Sequence, residues 1–129
     1  MIRSVKMLMP ALALALGLSV SPAVRAAPPA VVQQEINYLL GFVQSSGCEF
    51  YRNGSWYDSN KGQAHLRTKF EYLSGRGLIS AAEDFIAKAA TASSLSGQPY
   101  QVRCGGRAPV SSNQWLLDAL AQFRLSNKS

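Results

Sequence analysis

The side chains with the greatest capacity for chemistry lie on one predicted helix and in one later loop. His65, the only histidine of the sequence, is followed by Lys69 after four positions and by Tyr72 after seven. On a helix this spacing places all three on one stripe beside the apolar face. A histidine and a lysine so arranged can hold a carboxylate or a phosphate. The alternative, which the sequence favours, is a solvated helix edge whose long side chains lie over the core.

The loop that contains Ser93, Ser94, Ser96, Gly97 and Tyr100 is the second candidate. Hydroxyl groups in a loop often bind ligands, because loops carry much of protein function. Serine and glycine also end helices and turn chains, and this structural role is favoured for them here. Together with the histidine and lysine of the helix, these residues make up the candidate binding surface.

Within this loop, Ser96-Gly97-Gln98-Pro99-Tyr100 has the form Ser-Gly-x-x-Tyr. This form resembles the short motif of periplasmic lysozyme inhibitors, whose loop plugs the lysozyme cleft. The resemblance implies that Ser96 and Tyr100 would meet the catalytic carboxylates of the enzyme. It rests on three fixed positions, and those inhibitors are rich in β-structure, whereas this chain is predicted to be mostly helical. Inhibition of a lysozyme-type hydrolase is therefore an alternative function.

A small envelope hydrolase is the competing class of function. A serine of the loop, His65 and Asp84 would supply a nucleophile, a base and an orienting group. No serine lies in a Gly-x-Ser-x-Gly elbow, and catalysis is not predicted. One histidine and two distant cysteines match no zinc-site spacing, so neither a metal nor another cofactor is predicted. Arg52-Asn53-Gly54 is interpreted as turn chemistry rather than as an anion site.

The first 26 residues have the three parts of a secretory signal peptide. Arg3 and Lys6 are followed by 14 uncharged, mostly apolar residues, Met7 to Val20. A helix that spans a bilayer needs about 20 such residues, so this run is predicted to be a leader and not an anchor. Small residues precede a cut predicted after Ala26. The sequence therefore predicts an exported, periplasmic protein.

Residues 27–129 are predicted to form one domain without a membrane span. The leader carries three of the 13 basic residues, so ten basic and seven acidic residues remain and the net charge falls from +6 to +3. This remaining charge is scattered, which disfavours nucleic acid as a partner. An even number of cysteines in a small exported chain indicates a disulfide, here between Cys48 and Cys104.

Hydrophobic periodicity predicts four helices. They begin near Val31, at Ser59 or Asn60, at Ser80 with a Ser80…Glu83 capping box, and at Ser111 or Ser112. Aromatic-rich runs around Asn53-Gly54 predict a hairpin, and Tyr100–Cys104 is predicted to be a third strand. A disulfide requires Cα atoms within about 7 Å, which places this strand beside or across from the hairpin. The predicted fold is α+β: a three-stranded antiparallel sheet packed against about four helices.

The chain also resembles a family of small exported bacterial proteins, the domain of unknown function 5329. The matching residues extend over nearly the whole predicted domain: Cys48, Arg52-Asn53-Gly54, Tyr57, Ala64-His65-Leu66, Lys69, Glu83-Asp84-Phe85-Ile86 and Ser93-Ser94-Leu95-Ser96-Gly97-Gln98-Pro99-Tyr100. The resemblance implies a periplasmic location and a single domain, and it implies no activity and no functional residues. We therefore expect a non-enzymatic binding or accessory protein, with an envelope protein, a peptide or a glycan as ligand.

Overall fold

The computed structural model describes Gly17 and residues 27–128. Apart from Gly17, the predicted signal peptide and its cleavage after Ala26 lie outside the described residues. Helices and strands follow one another in the order α1 (Ala30–Ser45), β1 (Glu49–Arg52), β2 (Ser55–Tyr57), α2 (Ser59–Gly75), α3 (Ala82–Ala89), β3 (Gln101–Arg103), β4 (Val110–Ser111) and α4 (Ser112–Ser126). The α+β class and the four helices are as predicted.

The strands form one antiparallel sheet in the order β2-β1-β3-β4. The predicted hairpin is confirmed: β1 and β2 are joined by Asn53 and Gly54, which adopt left-handed φ values of 49° and 88°. Phe50 of β1 pairs with Tyr57 of β2 and with Val102 of β3, so these three side chains share one face of the sheet. That face is turned toward the helices, since Phe50 and Val102 are buried.

The prediction of three strands is wrong, because Val110–Ser111 adds a fourth. Val102 pairs with Val110 after the chain turns at Gly105 and Gly106. A strand of two residues is too short to show an alternating pattern, and its pairing depends on β3 rather than on its own sequence. Its second residue, Ser111, also caps α4 by accepting a hydrogen bond from Gln114 N at 3.2 Å, as predicted.

Two predicted helix starts differ from the structure in their capping residues. Helix α2 is capped by Asp58, whose Oδ1 accepts from Lys61 N at 2.9 Å. Helix α3 begins at Ala82, and the Asp84 carboxylate accepts from the backbone N–H groups of Ser80 and Ala81 at 2.9 and 3.0 Å. Aspartate competes well with serine at such positions, because its charge also interacts favourably with the helix dipole.

Helix α1 is the centre of the core. It packs against the other three helices, while α2 and α4 also contact the sheet. Its side chains Ile36, Leu39, Leu40 and Val43 are fully buried, at the helical spacing that the sequence shows. None of the helices in the described part of the chain is long and apolar enough to cross a bilayer.

The predicted disulfide between Cys48 and Cys104 is present. Cys48 directly precedes β1 and Cys104 directly follows β3, and the adjacent residues Glu49 and Arg103 pair across the two strands. In an antiparallel pair these two chain ends meet, which brings the Cα atoms of the cysteines to 4.4 Å. The bridge therefore fixes the join between the hairpin and β3.

An ion-pair cluster joins helices α1, α3 and α4. Arg124 of α4 donates from Nε to Glu35 of α1 at 2.6 Å and from Nη2 to Glu83 of α3 at 2.6 Å. Glu35 is a buried acid, whereas Glu83 is half exposed. Because a buried charge is costly without a partner, Arg124 is the residue that permits Glu35 to lie in the helix interface.

Candidate functional site

A pocket of about 200 Å³ lies between the first turns of α2 and the inner face of the sheet. Phe50, Tyr57 and Leu66 supply apolar and aromatic walls, and Arg52, Lys61, His65 and Tyr100 supply polar groups. Gly62 permits this close approach of helix to strand: a Cβ atom at this position would lie 2.8 Å from Cδ2 of Phe50.

A chain of hydrogen bonds links the polar groups of the pocket. Arg52 donates from Nη1 to Nδ1 of His65 at 2.7 Å, and Nε2 of His65 lies 3.0 Å from the Tyr100 hydroxyl oxygen. Lys69 donates from Nζ to the same hydroxyl oxygen at 3.3 Å. Residues of β1, of α2 and of the segment before β3 therefore meet at one point.

The protonation of this chain follows from Arg52, which can only donate. Nδ1 of His65 must accept, so the ring hydrogen of the neutral imidazole lies on Nε2 and is donated to Tyr100. Burial, with smaller contributions from the charges of Arg52 and Lys69, lowers the pKa of His65 to about 4. His65 is accordingly neutral near pH 7.

The hydroxyl group of Tyr100 is the last member of this chain of hydrogen bonds, and its own hydrogen is still available for donation. Its oxygen accepts from His65 and from Lys69, and burial raises the pKa of this hydroxyl, against the opposing charge of Arg52. The group therefore keeps its hydrogen, for which the described residues provide no acceptor. Burial, with a smaller contribution from the charge of Arg52, also lowers the pKa of Lys69.

The predicted stripe and the predicted loop come together at this chain. Besides Tyr100, Lys69 donates from Nζ to the carbonyl of Ala92 at 3.2 Å, at the start of the loop. Tyr100 itself is only 5% exposed. His65 and Lys69 are half-buried, and both are hydrogen-bonded to the hydroxyl group of Tyr100.

The serines of the loop mostly hold its shape. Ser93 is buried, and its Oγ accepts from Asn53 Nδ2 at 3.1 Å and from the backbone of Leu95 and Ser96. Ser96 donates to Asn53 Oδ1 at 2.6 Å. Gly97 adopts a left-handed φ of 73°, and its N–H donates to the Ser93 carbonyl.

Ser94 and Ser96 are the exposed serines of this loop, and Ser94 lines a groove beside Lys69. Inhibition of a lysozyme-type hydrolase through this loop would require that Ser96 and Tyr100 both be presented to the partner enzyme. In the structure the hydroxyl of Ser96 is bonded to Asn53, and Tyr100 is a buried residue whose hydroxyl accepts from His65 and Lys69 at the pocket. The hydrolase hypothesis requires Asp84 to orient His65. In the structure Asp84 binds the backbone at the start of α3, and both nitrogens of His65 have other partners.

The structure adds Arg52, Tyr57 and Lys61 to the site, and sequence reasoning missed all three. Arg52 was assigned to turn chemistry, although it lies two residues after Phe50 in one strand and so on the same face. The alternation of side chains between the two faces of the four-residue strand β1 was the signal that could have placed Arg52 on this face. Among the described residues, no group of three or more His, Cys, Asp or Glu side chains is arranged to hold a metal ion.

A protein-family model for a family of unknown function, DUF5329, matches residues 30–124, which include the disulfide and every residue of this site. The chain belongs to the DUF5329 family. This DUF5329 protein is also similar to the uncharacterised protein YfeK of Salmonella typhimurium strain LT2, with 36% identity over 69 residues. That alignment covers 53% of this chain and 56% of YfeK, so the chain spans about half the length of this curated relative. No solved structure matches.

Proposed function

We propose that this DUF5329 protein is an exported, non-enzymatic binding protein of the cell envelope, and that its pocket takes a ligand with an anionic group. The observation that carries the proposal is the donor chain of Arg52, His65, Tyr100 and Lys69, which ends in hydrogens without an acceptor. A site whose charged groups are all donors is complementary to a group that only accepts, and charge makes such hydrogen bonds stronger.

The charges of the pocket support the same ligand class. Arg52, Lys61 and Lys69 surround it or contact its tyrosine, and in the described part of the chain no aspartate or glutamate lines it. Arg52 is also fixed in place, because Nη1 is held by His65 and its guanidinium lies 5.6 Å from the centre of the Tyr57 ring. The remaining guanidinium hydrogens can therefore bind an anion with little further ordering.

His65 provides a direct test of anion binding, because it is the only histidine and its ring signals in an NMR spectrum are unambiguous. We expect acetate and phosphate, added separately, to shift these signals saturably at pH 7. Replacing Arg52 by Gln is expected to weaken this binding at least about tenfold, since a charge-assisted hydrogen bond contributes about 1.5–3 kcal/mol.

Arg67→Gln is the matched control for this experiment. Arg67 is exposed on the same helix as His65 and does not line the pocket, and its replacement removes the same charge. The Arg67→Gln variant should bind acetate and phosphate with the same affinities as the parent protein. Shifts that fail to saturate, or equal weakening in the Arg52 and Arg67 variants, would refute anion binding at this pocket.

Export and a single domain over residues 27–129 are part of the proposal. The disulfide supports export, because such bridges persist in oxidising compartments. We expect the product recovered from the periplasm to begin at Ala27, and its intact mass measures this directly. A periplasmic product that still begins at Met1, or retention of all the protein in the cytoplasm, would contradict the export proposal.

A further inference from the structure

The pocket combines its cations with walls that are unusually apolar for an anion site. Phe50 and Leu66 are buried residues of the core, and they form part of the surface that a ligand would touch. The Tyr57 ring lies on the same face of the sheet as Phe50, because the two residues pair across β1 and β2. A ligand bound here would contact both the Arg52 guanidinium and the apolar walls.

We propose, on the basis of the function proposed above, that the ligand of this pocket is a monocarboxylate attached to a compact apolar group. A volume of about 200 Å³ admits one such group of the size of a branched aliphatic side chain. Two sources share this chemistry: a free small carboxylic acid and the carboxyl terminus of a peptide that ends in an apolar residue.

The apolar walls of the pocket favour a carboxylate over a phosphate as the anionic group of the ligand. A dianion loses far more hydration free energy than a monoanion when it enters an apolar site, and this loss must be repaid by additional donors. The donors at this pocket are few: Arg52 retains part of its guanidinium, two of the Lys69 hydrogens are already directed to Ala92 and Tyr100, and Lys61 adds one ammonium group to the lining. The planar fork of Arg52 together with the Tyr100 hydroxyl suits the two oxygens of one carboxylate.

The test compares small probes that share parts of this structure, with affinities measured by the His65 signals. 3-Methylbutanoate has the carboxylate and the branched group, acetate lacks the branched group, 3-methylbutanol lacks the charge, and phosphate is the competing anion. We expect 3-methylbutanoate to bind at least about tenfold more tightly than acetate, because three more carbon atoms leave water. It should also bind more tightly than phosphate and than the alcohol.

A wall variant separates the apolar contribution from the charge. Tyr57→Ser removes an aromatic ring from the wall but leaves every donor of the chain in place. It should weaken 3-methylbutanoate more strongly than acetate, which loses only the ring contact that helps to hold Arg52, whereas Arg52→Gln should weaken both probes to a similar extent. Thermal unfolding of each variant verifies that it is folded before binding is measured.

The source of the carboxylate is assigned with acetyl-glycyl-leucine and its C-terminal amide. Tighter binding of the peptide acid than of acetate, with loss of binding in the amide, supports a peptide terminus as ligand. Binding of 3-methylbutanoate alone supports a free acid.

Equal affinities for acetate, phosphate and 3-methylbutanoate, all dependent on Arg52, would overturn the carboxylate inference and leave the anion-binding function standing. Equal binding of 3-methylbutanol would also overturn the carboxylate inference, and absence of any Arg52-dependent binding would overturn both the inference and the proposed function.

Discussion

Replacing Cys48 and Cys104 together by alanine is expected to lower the free energy of unfolding by about 4 kcal/mol, reduced by any strain in the bridge. The bridge joins positions 56 residues apart, so its loss frees a long loop in the unfolded chain. The stability of a domain of this size is in total about 5–15 kcal/mol. Urea denaturation of the oxidised parent protein and of the double variant measures the difference.

The control is reduction of the same proteins. Reductant should destabilise the parent to a similar extent and leave the double variant unchanged, because only the parent has a bond to lose. Thiol titration of the denatured, unreduced parent should find no free thiol. Two titratable thiols, or equal stabilities of parent and variant, would contradict the stabilising role of the bridge.

Replacing Arg124 by leucine is expected to cost about 2–3 kcal/mol of stability. The change leaves Glu35, whose side chain is 11% exposed, without its charged partner in the helix interface. The figure lies below the cost of breaking a fully buried pair, because the Arg124 side chain is itself 42% exposed and partly screened by water. Chemical denaturation at pH 7 measures the effect.

Glu49→Gln provides the comparison for an exposed pair. Glu49 accepts from Arg103 at 3.0 Å with side-chain exposures of 51% and 37%, so its replacement should cost less than about 1 kcal/mol. The double variant Glu35→Gln, Arg124→Leu should be more stable than Arg124→Leu alone, because the uncompensated charge is removed. Equal losses for Arg124→Leu and Glu49→Gln would show that the burial of Glu35 carries no cost.

Lowering the pH should reduce the difference in the free energy of unfolding between the parent protein and the Arg124→Leu variant. The hydrogen bond from Arg124 lowers the pKa of Glu83 in the folded protein. A carboxyl with a lowered pKa stabilises the fold above its unfolded pKa of about 4.3, and this contribution is lost as the pH falls through the lowered folded value. The variant has no such contribution to lose.

Features set by local sequence were predictable. Helix α1 shows its buried residues at helical spacing, and the turn at Asn53 and Gly54 requires the left-handed backbone that these residues adopt readily. The disulfide needed only the parity of the cysteines and the predicted compartment.

Features set by pairing between distant segments were not predictable. Strand β4 exists because β3 presents an edge to Val110, and Arg52 becomes part of the pocket because α2 crosses the face on which it lies. Ser93 was assigned to a surface, yet it is buried because its hydroxyl organises the turn above Asn53. Alternation in β1 indicates only the face on which Arg52 lies, and each of these roles depends on tertiary contacts between distant segments.

The cations that line the pocket also affect the rate at which an anion would reach it. Arg52 and Lys61 line the pocket while no acidic residue in the described part of the chain does so, and the resulting field attracts an anion before contact is made. In physiological salt this attraction extends about 8 Å, and it contracts as the ionic strength rises. For a ligand of the proposed kind, the rate of capture would thus depend partly on the ionic strength outside the protein, whereas the rate of release would depend on the hydrogen bonds and walls of the pocket.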